Sequence, residues 1–284
     1  MRFAATLVLW LATTVALAVA VPAMWAQLNI VSEDGYAALA QKAAGDPVLQ
    51  SAAADELTTR AMALIAAHGG GRSPVDGSQV HDTAAAFTAS PSFPPLFANA
   101  NREAHRWLFT DARSGDSWVV DLAPMLNDSS IQQLLSSRNV KVPATLAVPL
   151  TVSVPSTGQS VRQGQLSRLA AWDPWVSIAA VALSGFCGLL TVAVARRRGK
   201  ALTSLGVSAL LVGAAGWAGI EVGGRYINDA LNRTTGNIRQ IADMMVIHAE
   251  AGLRQWLDLT LLAGAVLVGS GVLVAILGGL RKKA

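Results

Sequence analysis

The sequence predicts a mainly α protein: a four-helix transmembrane bundle with a mostly helical extracytoplasmic domain, carrying a small β-element, inserted between spans one and two. Three observations predict it. Two apolar runs, residues 176–195 and 201–220, follow one another closely. Each has about the twenty residues that cross a hydrocarbon core as a helix. Arg196, Arg197, Arg198 and Lys200 crowd the five residues between them, and short loops rich in Lys and Arg stay on the cytoplasmic side. Charged residues make up 14% of the chain and hydrophobic ones 52%. A soluble domain carries about 25% charged residues, and here the deficit is concentrated in the apolar runs.

The elements follow in order. Residues 3–25 hold no charge and follow Arg2. Ala18-Val19-Ala20 fits a small-x-small cleavage pattern, yet the apolar stretch continues to Trp25. Residues 1–26 are therefore read as transmembrane helix 1, a retained signal anchor; whether it is cleaved or kept, the next segment is exported.

Residues 27–172 form the segment large enough for a folded water-soluble domain. Ser32 with Glu33 and Asp34 opens a first helix through Tyr36, Leu39 and Ala43, which Gly45 stops. Asp46 caps a second helix with Pro47 at its first position. Val48, Ala52, Leu57, Ala61, Leu64 and Ile65 give that helix an apolar stripe, and His68 before three glycines ends it. Helical pattern resumes over 79–88, breaks at Pro91 and again at Pro94-Pro95, and runs over 96–110 with Phe97, Ala100, Ala104, Trp107 and Leu108 at core spacing. Residues 117–122 read as a strand after a Ser-Gly-Asp turn. Asp128 and Ser129 cap a short helix through Leu135. Residues 144–154 read as a second strand, with Pro149 placing it at an edge or bulge. A polar helix over 159–171 leads to Trp172 and Trp175, which suit the interfacial aromatic belt.

Residues 173–221 are the hairpin of spans two and three. Residues 222–255 return outside, where Glu221, Arg225 and Asp229 stand at a spacing that allows a chain of ion pairs. Ile238, Ile241, Met245, Ala249 and Leu253 make an apolar stripe leading into residues 256–284, the final span and a tail closed by Arg281, Lys282 and Lys283. Both termini are thus expected in the cytoplasm of a bacterial plasma-membrane protein. The net charge of +4 sits largely at these membrane ends, so the bilayer, not nucleic acid, is the partner it implies. Cys187 is the lone cysteine, in mid-span, where a small packing residue is expected.

Several short motifs occur together: Tyr36 before Asp46-Pro47-Val48-Leu49-Gln50 and an alanine-rich helix, Ala-Asn-Arg-Glu-Ala-His over 100–105, Val120-Asp121-Leu122 before Pro124, and the Arg-rich hairpin. In these the chain resembles a family of uncharacterised, mycobacterial-type multi-spanning membrane proteins of actinobacteria, from which it departs in a shortened outer domain. The resemblance implies an envelope location and a topology, and no activity.

Candidate chemistry is sparse. Asn101 and His105 share a helix face, as do Arg102 and Arg106. With Asp121 on a nearby strand, His105 could be a carboxylate-oriented base, with Arg102 beside it. The alternative is that His105 locks helix to sheet, and no nucleophile or oxyanion loop accompanies it. His68, His81, His105 and His248 lack metal-ligand spacing, and Gly69-Gly70-Gly71 lacks the ending of a phosphate loop; no metal or cofactor is expected. Glu221 and Asp258 lie at the outer ends of spans and no ionisable residue occupies a span centre, which argues against ion-coupled transport. Ser184, Gly188, Gly213, Gly216, Gly219, Gly264, Gly269 and Ser270 allow close helix contact. Met244 and Met245 are either core or an adaptable docking face. The function expected is non-enzymatic: an accessory or scaffold protein of the cell envelope with a membrane or envelope protein partner. The alternatives are a component of a transporter or channel, a sensor working through an inner partner, and an exported-side enzyme centred on His105.

Overall fold

The computed structural model describes residues 2–68, 76–109, 118–121, 149–152, 164, 166–195, 198–232 and 236–280. These residues are almost entirely helical. The order is α1 (Arg2–Ala26), a π-helix (Gln27–Val31), α2 (Glu33–Ala43), α3 (Pro47–His68), α4 (Gly77–Thr88), α5 (Phe93–Phe109), β1 (Trp118–Asp121), β2 (Pro149–Val152), α6 (Ser167–Val194), α7 (Arg198–Leu231) and α8 (Asn237–Leu280). Four of the helical stretches, Thr6–Val31, Ala170–Val194, Gly199–Leu231 and Asn237–Leu277, are long and apolar enough to cross a membrane.

The chain divides into two compact units. One comprises Met1–Val31, Leu169–Ile227 and Glu250–Ala284; the other comprises Ser32–Arg168 and Asn228–Ala249.

In the first unit α7 and α8 run antiparallel and meet backbone to backbone. Gly199, Gly206 and Gly213 recur at a seven-residue interval on α7, and Gly264 and Gly271 do so on α8. A Cβ on Gly206 would stand 2.7 Å from the Gly264 carbonyl oxygen, and one on Gly199 the same distance from that of Gly271. The heptad interval keeps one face of each helix turned to its partner. Small residues allow this approach, the kind of close packing that joins apolar helices wherever lipid surrounds them. Hydroxyls and one indole tie α1 to α7: Trp10 Nε1–H donates to the Ser204 carbonyl at 2.9 Å, and the Thr14 and Ser208 hydroxyls lie 2.8 Å apart. Buried Thr13 and Thr191 donate to carbonyls one turn back in their own helices, those of Leu9 and Cys187, so neither is an unsatisfied polar group. Cys187 is buried among them. At the end of α1 the ladder loosens into the π-helix, where Asn29 Nδ2–H donates to the Trp25 carbonyl at 2.8 Å.

The second unit packs α2, α3, α4 and α5 with the first turns of α8. Ser32 caps α2 by accepting from Gly35 N–H. Asp46 caps α3 by accepting from Val48 N–H at 2.8 Å. Asp76 caps α4 through Ser78, whose backbone N–H and hydroxyl both donate to its carboxylate. Those two bonds, the hydroxyl's first, hold the Asp76 carboxyl below its ordinary range. Ala43, Ala44, Leu49, Ala53, Phe87 and Phe93 form the core, and Met244 and Met245 pack against it together with Ile241. Both methionines are half-buried and pack on this core, the first of the two roles read for them in the sequence. Past α5, the N–H groups of Gly164 and Leu166 donate to the Trp107 and Leu108 carbonyls, satisfying acceptors that a helix end leaves open. The β1 and β2 backbones pair antiparallel, Trp118 opposite Val152 and Asp121 opposite Pro149.

Several expectations are corrected. Pro94 and Pro95 do not break the third helical stretch: they lie in the first turn of α5, where a missing N–H costs nothing. Arg198, Gly199 and Lys200 are the first turn of α7 rather than loop. Glu221, Arg225 and Asp229 form no ion pair among the described residues; all three are exposed, where such a pair gains little over hydration. His81 sits on α4, within the helical pattern read over 79–88. Gly219 and Gly269 face open space, so helical spacing alone misplaced them at contacts. The expected helix after Asp128, most of the second strand and of the 159–171 helix, Gly69–Gly71, Arg196, Arg197, Arg281, Lys282 and Lys283 lie outside the described residues.

Candidate functional site

The most site-like cluster lies where α2 and α5 pack together. Glu33 and Asp34 occupy the first turn of α2, where negative charge complements the helix dipole. Arg102 and Arg106 stand one turn apart on α5 and reach across. Arg102 Nε lies 3.3 Å from Glu33 and its Nη2 2.9 Å from Asp34. Arg106 Nη2 lies 2.7 Å from Glu33 and its Nη1 2.9 Å from Glu103. Asn99 Oδ1 accepts from Arg102 Nη1 at 3.2 Å. Glu33 accordingly takes both guanidinium groups, and that carboxylate, ahead of Glu103, holds the Arg106 pKa above its ordinary value.

Rings pack beside this clamp. His105 is 5% exposed. It stacks on Phe109 with ring centres 4.1 Å apart and planes 11° from parallel. Tyr36, from α2, also meets the His105 ring, with centres 5.3 Å apart and planes tilted by 38°. Burial pushes the Tyr36 hydroxyl's pKa up, since the phenolate would lose its hydration. Asn101 turns back to its own helix and donates to the Phe97 carbonyl at 2.9 Å.

The residues singled out in the sequence thus take separate positions. Arg102 and His105 belong to one α2–α5 seam, Arg102 in the ion pairs and His105 in the ring stack. Asn101 stays within α5. The Asp121 side chain lies outside what the structure describes, although the β1 backbone runs beside α5. Glu33, Asp34, Tyr36 and Phe109 complete the cluster; in the sequence Glu33, Asp34 and Tyr36 read only as the start of the first helix, and Phe109 carries no signal. A legible signal existed: an acidic pair at a helix start and a basic pair four apart on another helix are complementary. Chemically, the arrangement is a two-helix clamp whose guanidinium groups already face carboxylates.

His81 belongs to a second cluster, with Nε2 3.1 Å from Asp55 Oδ1 on α3 and Nδ1 4.0 Å from Asp82. A third polar group occurs in the apolar-helix unit. There Trp217 Nε1–H donates to Asp258 at 3.1 Å, Arg254 sits 5.3 Å over the Trp217 ring, and Glu250 pairs with Arg254 at 3.5 Å. Lys200 is exposed on α7. No group of three metal-ligating side chains occurs among the described residues. Comparison with protein-family models, curated proteins and solved structures finds no match to this chain.

Proposed function

We propose that this chain is a non-enzymatic integral protein of a bacterial cytoplasmic membrane, an accessory or scaffold subunit that holds an outward-facing helical domain with a small β-element beside an envelope partner. In this reading both termini and the basic segment Arg196, Arg197, Arg198 and Lys200 are cytoplasmic, and residues 27–172 lie outside. One observation carries the scaffold reading. The side chains best equipped for chemistry are engaged in holding α2 to α5: Arg102 and Arg106 face Glu33, Asp34 and Glu103, and His105 is stacked on Phe109. Four helices of spanning length support the membrane placement, and the basic flanks support its direction.

Two experiments test this. Protease protection in intact cells should leave residues 27–172 accessible from outside; protection of that region would reverse the topology. Affinity purification in mild detergent should recover a stoichiometric membrane or envelope protein. A clean monomer retaining full cellular complementation would refute the scaffold role.

A further inference from the structure

The four helices of the apolar unit leave a groove of about 790 Å³ between them. Every helix of the unit contributes to it, through Thr13 and Leu17 of α1, Gly185 and Leu189 of α6, Leu205 of α7 and Leu259 of α8 among others. Along α8 its lining extends from Trp256 to Leu267, a length of about 16 Å at the helical rise. One leaflet of a bilayer core is about 15 Å deep.

We propose that this groove binds one acyl chain of a bilayer phospholipid. The inference rests on the membrane reading above and adds an occupant to it. Polarity selects that occupant. No lining residue is ionisable. Two of the three lining hydroxyls are turned back into their own helices, Thr13 to the Leu9 carbonyl at 2.8 Å and Thr260 to the Trp256 carbonyl at 2.9 Å. A polar solute or ion entering would give up its hydration without replacement partners. Hydrocarbon gives up nothing and restores the dispersion contacts that an empty groove forfeits. Continuity supplies the route: Leu189 and Leu259 line the groove yet are 74% and 57% exposed, so it opens onto the unit's apolar outer face. Gly185 deepens it, because a Cβ there would meet nothing within 4 Å.

The test uses the full chain in nanodiscs containing phosphatidylcholine with a diazirine at mid-chain, mapped by mass spectrometry after photolysis. Labelling at Leu189, Leu259 and Thr260 should exceed that at Val274 and Ile276, outward-facing α8 residues of 43% and 56% exposure, by several-fold. Even labelling of all five would overturn the proposal. Gly185→Trp should fill the groove and reduce labelling at Leu259 and Thr260 to the Val274 level, while Gly185→Ala leaves it unchanged. Undiminished labelling in a folded Gly185→Trp protein would also overturn it. If the chain is extracted from membranes at alkaline pH and takes no label anywhere, the membrane reading itself falls and the groove with it, an outcome distinct from even labelling.

Discussion

Gly206→Ala is the most incisive perturbation of the apolar unit. The added methyl would lie 2.7 Å from the Gly264 carbonyl oxygen and equally close to the Val268 nitrogen. Both are backbone atoms, so no rotamer change relieves the clash. Ordinary van der Waals contact begins near 3.4 Å, so α7 and α8 must separate by about 0.7 Å along a seam that close packing makes stiff. Overpacking of this kind costs about 1–3 kcal/mol. Alanine also gains about 0.5–1 kcal/mol over glycine in a helix, so a control must cancel that term. Gly269→Ala provides it, because a Cβ there meets nothing within 4 Å. The two variants should therefore differ by the overpacking cost alone, about 1–3 kcal/mol, with Gly269→Ala at or above wild type. The assay is titration of the detergent-purified protein with dodecyl sulfate, followed by circular dichroism. Gly264→Ala, which would place its methyl 2.9 Å from the Gly206 carbonyl oxygen, should fall with Gly206→Ala. Identical midpoints for Gly206→Ala and Gly269→Ala would refute a backbone-contact seam.

Other outcomes follow from the same geometry. A double-mutant cycle on Thr14→Ala and Ser208→Ala should yield a coupling of about 0.6 kcal/mol, the usual size for an interhelical hydroxyl bond in a membrane, and zero coupling would mean that these hydroxyls do not meet. Replacing Arg102 by Met should destabilise the second unit by about 1 kcal/mol or less, because Arg102 and Glu33 are a third exposed and Asp34 is 90% exposed, so water and salt screen the pairs, with the loss shrinking in high salt; a salt-independent loss would place the burden on packing. Because the folded pKa of Tyr36 is raised, its stabilising neutral form is fully present below the unfolded value of about 10 and is lost as pH rises through the folded value. Ultraviolet titration should show one late-ionising tyrosine, absent in Tyr36→Phe, whose fold should tolerate alkali better. His105→Ala should cost about 2–3 kcal/mol through loss of a buried stacked ring, and thermal denaturation reads it directly.

The span-length helices and the caps at Ser32 and Asp46 were legible because hydropathy and capping are local signals. Pro94-Pro95 reads as a break because a proline pair looks the same at a helix start as at a break, and only the Phe93 start distinguishes them. The α7–α8 seam was half legible. Gly213, Gly216 and Gly264 stand out by composition, whereas Gly199 follows three arginines and reads as loop, and Gly206 and Gly271 align with the others only at a seven-residue interval. At the α2–α5 seam Arg102 and His105 were visible as a motif, but their neighbours Glu33, Asp34 and Tyr36 lie far away in sequence. His81 meeting Asp55 across α3 and α4 is hidden for the same reason.

The glycine seam has a thermal consequence. Leucines that interlock must surrender rotamer freedom when two helices join, whereas glycine has no side-chain entropy to lose. The α7–α8 pair therefore freezes few side chains along its closest line, chiefly Leu257 and Leu261 where they seat on Gly216 and Gly213, and warming has fewer rotamers there to liberate. Heat should open this protein elsewhere first, leaving the last two long helices joined.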